Sequence, residues 1–390
     1  MTLITDSQSV KDICLHLVHE PFICIDTEFM REGSYWPRLC LIQLADSKSN
    51  SFAVDPLAPD IDLTPLFDLM ANELVPKVIH AARQDIEIFF YLTGAVPTPV
   101  FDTQVAAMVC GFGEAASYET LVRKLADSRI DKSSRFSDWS SRPLQKRQLE
   151  YALADVTHLP RIYRHLYEKL TTTGRSSWVS DEMAQLCSTA VYDLDPMDAW
   201  RKIKTRGAGP RTLAILREVA AIRERWARQR NLPRQRLVRD ESLLEIASSR
   251  PNTTAELARI RGFSAGAAKG RLGSDLLKGI ARGLLVAAEN CPHQPKRKDN
   301  VTASGAVVEL LKVLLKLRCE QHGVAQKLVA TTSDLAEIAA GVDNVPALDG
   351  WRYDIFGSDA HKLIGGTLAL SVRGNAISVS DSNVVKVKNT

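Results

Sequence analysis

The stretch that most constrains this chain runs from Phe22 to Phe29 (FICIDTEF). Mostly apolar residues lead straight into Asp26, and a second carboxylate, Glu28, follows two positions later. The lead is short, apolar and rich in β-formers, which predicts a buried strand. Alternate side chains of a strand share a face, so Asp26 and Glu28 point the same way. Two carboxylates crowded at a strand end repel each other and are best tolerated with a cation between them. Hard divalent ions such as Mg²⁺ and Mn²⁺ prefer such oxygen ligands. An exposed strand end with two solvated acids would carry the same local signature, so the other acids of the chain have to decide.

The organisation around this stretch is modular. At 390 residues the chain is too long for one ordinary core, which predicts two or three domains. No apolar run is long enough to span a membrane. The polar start, Met1 to Lys11, lacks a signal-peptide pattern. The seven cysteines are scattered, with no Cys-x-x-Cys pair, which argues against a disulfide framework or zinc knuckle and fits a reducing cytoplasm. Strands are expected at Arg38 to Asp46, Ser51 to Val54, Lys77 to His80 and Val100 to Thr103. Helices are expected at Thr64 to Asn72 (Thr64 as N-cap), Gln84 to Leu92, Thr103 to Cys110 and Tyr118 to Ala126. A long helical pattern from Pro143 to about Thr171 should break at Pro160. Strands alternating with helices predict an α/β domain over residues 1–170.

Beyond it the pattern is helical. Residues 171–207 read as a linker that partly packs, 208–288 as a small helical bundle, 289–300 as a basic linker, 301–375 as a second bundle and 376–390 as a tail. Arg236 to Ala247 and Lys327 to Ala339 resemble each other with one residue inserted, which suggests a duplicated helical unit.

Charge divides along the same line. Residues 1–170 hold 17 Lys/Arg against 23 Asp/Glu, whereas 200–239 alone hold 13 against 2. An acidic front and a basic back suit a metal-binding part coupled to a polyanion-binding part. Arg201, Lys202, Lys204, Arg206, Arg223 and Arg230 are the candidate phosphate contacts in the basic part.

Two further acids complete a set. Asp85 lies just past a buried strand, in the first turn of a predicted helix. The macrodipole alone would favour an acid there, but ligand sites in α/β sheets also gather at strand ends. Tyr151 and Asp155 are spaced i, i+4, on one face of the long helix. Asp26, Glu28, Asp85 and Asp155, with the Tyr151 phenol, suit a two-metal phosphodiesterase site, whose ions lie about 3.5–4 Å apart. His80 is expected to be packed or hydrogen-bonded, Asp102 to cap a helix and Trp139 to join the core.

These motifs resemble the ribonuclease D family of the DEDD superfamily of 3′→5′ exonucleases, tyrosine subclass. Asp26-Thr27-Glu28 matches motif I, His80 to Asp85 (HAARQD) motif II and Tyr151 to Asp155 (YALAD) motif III. Phe136 to Pro143 (FSDWSSRP) also looks like that family. The related histidine subclass places a His five residues before the last Asp; here position 150 is Glu, and His158 comes after Asp155. The resemblance implies a ribonuclease H-like exonuclease domain, a mixed sheet flanked by helices, followed by two small all-α HRDC-type bundles. It implies that Asp26 bridges two divalent ions, Mg²⁺ or Mn²⁺. Glu28 and Asp155 then serve the ion that activates water, Asp85 holds the second, partly through water, and Tyr151 orients the attacking water. Phe29 would wedge against the terminal base, and Gln43, near motif I, is placed with the RNA contacts. The expected activity is 3′→5′ hydrolysis of RNA to nucleoside 5′-monophosphates, on tRNA precursors and other small RNAs with accessible 3′ ends, by a cytoplasmic monomer. The alternatives are a 3′→5′ DNA exonuclease and a nucleic-acid-binding scaffold with an inactive nuclease fold. The second of these loses ground because no acid of the set is missing.

Overall fold

The computed structural model describes residues 3–131, 137–205, 207–293 and 304–382. Arg206, Phe136 and most of the expected basic linker lie outside the described residues, as does the tail from 383.

The acidic strand forms where its sequence predicts. It is β2 (Ile23–Met30), and it sits inside a six-stranded mixed sheet of order β1-β4-β3-β2-β5-β6. Its partners are β3 (Arg38–Ala45), antiparallel, and β5 (Lys77–Ile79), parallel. Beyond β3 come β4 (Ser51–Val54) and the two-residue β1 (Leu3–Ile4); beyond β5 lies β6 (Val100–Asp102). Both faces of β2 are covered, which explains its unbroken apolar lead. Ile23 and Ile25 face a core built with Val10, Ile13 and Leu17 of α1 (Ser7–Leu17), Leu66 and Leu69 of α2 (Thr64–Ala71), and Ile86 and Phe89 of α3 (Arg83–Thr93). Cys24 faces the other way, against Ala45, Val78, Val156 and Leu159.

Three local expectations shift. Leu63, not Thr64, is the α2 N-cap residue, because the Asp62 carboxylate already accepts the Thr64 N–H at 2.9 Å, and Pro65 follows at the first turn. Thr103–Val109 (α4) forms with Asp102 as its cap, but Tyr118–Leu121 (α5) is followed by a wider π-type turn over Val122–Ala126. The long pattern divides at His158 into α6 (Lys146–Thr157) and α7 (Leu159–Thr172), with Pro160 in the first turn of α7, where its missing N–H costs nothing.

Much of 171–207 is packed. Ser176–Leu186 (α8) buries Val179 and Met183 in the first core, and Trp200 is buried in the next. That second core is all helical, built on Pro210–Arg230 (α9), Asp240–Ser249 and Arg271–Leu285. A third core gathers on Gly305–His322 and the segments to Ile364. The repeat seen in sequence has a structural counterpart. In each bundle a long helix ends in a left-handed residue (Asn231, Gly323), followed by a four-residue helix (Arg234–Leu237, Gln326–Val329) and then a longer one (Asp240–Ser249, Thr332–Ala339). The second bundle also carries a hairpin, Leu368–Arg373 with Ala376–Asp381, which helical periodicity did not reveal and which runs across the expected boundary at 375/376.

Both bundles are tied to the sheet domain, the first through polar contacts and the second through polar and aromatic ones. The loop after β2 docks on α9: the Tyr35 hydroxyl donates to Glu224 and accepts from Arg234 (2.7 Å) and Arg228 (3.3 Å). Asn231 accepts the N–H groups of Tyr35 and Trp36 at 3.1 and 2.9 Å. The second bundle is held by Arg175 donating to the His322 carbonyl at 2.6 Å and by the stacked rings of Trp178 and Trp351, 4.5 Å apart.

Candidate active site

Two elements bring three of the four expected acids together. β2 supplies Asp26 and Glu28 on the Cys24 face, and α6 crosses that face with Tyr151 and Asp155 one turn apart. Oxygen atoms of Asp26, Glu28 and Asp155 all lie within 4.8 Å of one another. A register shift between Glu28 and Phe29 breaks the strict alternation at the strand end, and Phe29 lines the cleft with the acids. The cleft holds about 850 Å³ and is lined also by His80, Gln84, Tyr118, Asp138, Trp139 and Tyr151.

Asp85 stands behind this group. It lies in the first turn of α3 and is buried, with its carboxylate accepting the Thr27 hydroxyl at 2.5 Å. The residue between the two motif I acids therefore ties motif II to motif I, a role the sequence reading left unassigned. The turn that delivers α3 is held in place by Asp102. Its buried carboxylate accepts the N–H groups of Ala81 (3.0 Å) and Ala82 (2.9 Å) while also capping α4. Ala81 adopts φ 59°, a left-handed conformation that a non-glycine residue takes at some cost. Asp102 thus caps its helix as expected and fixes the approach to Asp85 as well.

The electrostatics of the cluster point to a cation. Burial and then repulsion from Asp85, Asp155 and Glu28 push the Asp26 carboxyl well above the usual range. Burial pushes Asp85 up to about 7, against the lowering effect of the Thr27 bond. Burial of a carboxylate beside other carboxylates is costly, and a divalent cation bound by these oxygens relieves it. The donor set is all-oxygen and acidic, which fits a hard divalent ion. His16, Glu20 and Asp46 also gather, but Asp46 is used to close the β3–β4 turn, accepting from the backbone of Lys48 and Asn50 at 2.9 Å.

The side chains around the acids are fixed in turn. Burial lowers His80 to about 4, so its ring is neutral at pH 7; Nδ1 lies 3.0 Å from the Thr103 hydroxyl. His80 is hydrogen-bonded as expected, and it also lines the cleft. Trp139 is buried as expected, its ring 6.1 Å from that of Tyr151. Arg142 fastens the Trp139 segment to the sheet through paired bonds to Asp55 (2.7 and 2.6 Å) and one to the Cys40 carbonyl. Tyr118 also lines the cleft. Its hydroxyl donates to the Ala154 carbonyl on α6 at 3.0 Å and its ring meets that of His80, but no sequence motif marks it.

Residues 1–171 match the family described as 3'-5' exonuclease, and residues 212–280 match the HRDC domain family. A ribonuclease D of Granulibacter bethesdensis is 48% identical over 96% of this chain and 95% of its own length; one of a Jannaschia species is 44% identical over 96% and 98%. The chain belongs to the ribonuclease D family. The crystal structure of Escherichia coli RNase D, described as an exoribonuclease involved in structured RNA processing, superposes with a TM-score of 0.80 at 29% identity, covering 93% of this chain and 98% of that one. Membership makes the chain a 3′→5′ exoribonuclease with a nucleic-acid substrate, and the DNA exonuclease and inactive-scaffold alternatives are not favoured. Divalent metal use follows from the same fold. No helix among the described residues is long and apolar enough to cross a membrane.

Two of the expected RNA contacts are corrected. Gln43 is fully buried in β3, beneath α6, and is out of reach of a polymer in the cleft. Arg223 is buried in α9, where it donates to the Val238 carbonyl (2.9 Å) and to Asp240 (2.6 Å), so its charge is already paired. Arg201, Lys202, Lys204 and Arg230 are exposed. Arg201 bonds Asp198 at 2.7 Å, and the Arg230 guanidinium lies 4.7 Å over the Trp226 ring, beside Arg271 and Lys278.

Proposed function

We propose that this chain hydrolyses RNA from the 3′ end with two divalent ions, Mg²⁺ or Mn²⁺, held by Asp26, Glu28, Asp85 and Asp155, and releases nucleoside 5′-monophosphates. The observation that carries this is the convergence of three acidic side chains within 4.8 Å beside Tyr151, with Asp85 tied in through Thr27. Asp26 would help to hold both ions, because it is flanked by Asp85, Asp155 and Glu28 together. When bound, the ions supply Lewis acidity and balance the charge of an in-line displacement at phosphorus. Tyr151 orients the attacking water through its hydroxyl, as a hydrogen-bonding group. The nearby Trp139 ring restricts where the Tyr151 ring can lie. Phe29 packs against the terminal base.

The substrates in this reading are tRNA precursors and other small structured RNAs with free 3′ ends, acted on by a monomer in the cytoplasm. Family membership supports this class. Hydrolysis in H₂¹⁸O tests the chemistry: the released mononucleotide carries ¹⁸O on its 5′-phosphate if water attacks phosphorus and the shortened chain departs through its 3′-oxygen. Label recovered on the remaining chain would refute that direction of cleavage.

The exposed cations of the basic part contribute to RNA binding. Lys204→Ala and Arg230→Ala should each lower the slope of log K against log salt by about 1. Arg223→Ala should leave the slope unchanged and reduce thermal stability instead, since it strips a buried bond network. Filter binding over a salt series, with melting curves of the same proteins, separates the two effects.

A further inference from the structure

Gln43 is the least explained polar side chain near the site. It has no solvent exposure, and neither Nε2 nor Oε1 has a hydrogen-bond partner among the described residues. Buried amides are almost always bonded, so a doubly unpartnered one beside an acidic cluster calls for a role. Its position names that partner. Gln43 is the register partner of Asp26 across the antiparallel β2–β3 pair, and of Ala53 on the other side. Directly opposed residues of such a pair project from the same face with Cβ atoms about 4.5–5.5 Å apart. The same face is covered by α6, which buries Ala152 and Leu153 there and carries Tyr151 and Asp155. The amide therefore lies between the strand that holds Asp26 and the helix that holds Asp155.

We propose that Gln43 is a positioning residue for the metal centre: in the metal-loaded enzyme its Nε2–H donates to the Asp26 carboxylate and fixes the orientation in which Asp26 meets the ions. The proposal rests on the metal-site reading given above. A carboxylate bound to cations keeps lone pairs free to accept, and such outer bonds set the direction of the ligand. Gln43 is suited to this because it is neutral. A lysine at the same position would compete with the ions for Asp26, whereas an amide donates without adding charge. The other open atom, Oε1, leaves the amide free to choose its orientation as the ions bind, because no bond holds it in the alternative one.

Gln43→Met and Gln43→Leu keep apolar volume and delete the donor. The measurement is Mn²⁺ titration of the full chain, read both by free Mn²⁺ in electron paramagnetic resonance and by melting temperature, with a melt in chelator beside it. In chelator both variants should melt at or above the wild-type temperature, because each removes an unpartnered buried amide. Their Mn²⁺ affinity should fall about 10- to 100-fold. Wild-type affinity in both variants, with or without a lower melting temperature in chelator, would overturn the proposal and leave Gln43 as packing. Absence of Mn²⁺ binding by the wild-type chain would overturn the metal-site reading together with the proposal. Intact wild-type binding with unchanged variants overturns the proposal alone.

Discussion

Asp26→Asn should abolish measurable RNA hydrolysis and, in the presence of chelator, make the protein more stable. The loss is expected to be at least about a thousandfold in kcat/KM, or roughly 4 kcal/mol of transition-state stabilisation, because the acid flanked by the other three carboxylates is removed. The gain has the same origin. Asp26 is pushed up by burial and by three neighbouring carboxylates, so its ionised form opposes folding unless a cation is bound. An amide of the same shape removes that repulsion and should add roughly 1–2 kcal/mol in chelator. Divalent ions should raise the melting temperature of the wild-type chain more than that of the variant. A variant that lost activity and stability together in chelator would mean that Asp26 supports the fold and not the site.

The second large effect concerns the contact between the sheet domain and α9. Glu224 has no solvent exposure; burial alone would raise its carboxyl, but bonds from Arg234 and Tyr35 and the charges of Arg234 and Arg228 hold it at about 2. Glu224→Ala would leave the Arg234 and Arg228 guanidinium groups and the Tyr35 hydroxyl without their shared acceptor. The expected cost is about 3 kcal/mol, at the low end for a broken buried pair because both arginines reach solvent. A native carboxyl at about 2 against about 4.3 unfolded contributes stability that is complete above pH of about 5 and is lost as pH falls toward about 2. Wild-type denaturant midpoints should therefore drop through that window, and those of Glu224→Gln should drop less. The loop that would be released follows the strand bearing Asp26 and Glu28, so trypsin should cut after Arg31, at the start of that loop, faster in the alanine variant. Equal cutting rates and equal midpoints would show that this contact does not secure the loop.

What could be read from sequence was local. Asp26 and Glu28 share a face because strand side chains alternate, and Tyr151 and Asp155 because of helical spacing; both relations are fixed by the backbone alone. The apolar lead to Asp26 marked a strand buried on both faces. The contacts that hold the domains were not legible, since Tyr35 and Glu224 meet across 189 positions with no periodic signal. Counting charges in 200–239 overstated the surface available to RNA. Arg211 is spent on the carbonyls of Leu284 and Val286, and Arg223, Arg228 and Arg234 on internal acids. Closeness to motif I groups Gln43 with RNA contacts, but a strand residue beside Asp26 in register is covered by the same helix that carries Asp155. Thr27 and Asp102 were readable as strand and cap residues, but their work at Asp85 depends on three segments meeting.

The most direct test is the time course of a 5′-labelled RNA with an unpaired 3′ tail, incubated with Mg²⁺ or Mn²⁺, with chelator, and beside the matching DNA. The account predicts a ladder that shortens one nucleotide at a time from the 3′ end, only with divalent metal, and with DNA degraded poorly. Cutting that persists in chelator, internal cleavage, or label released first as a mononucleotide from the 5′ end would contradict it.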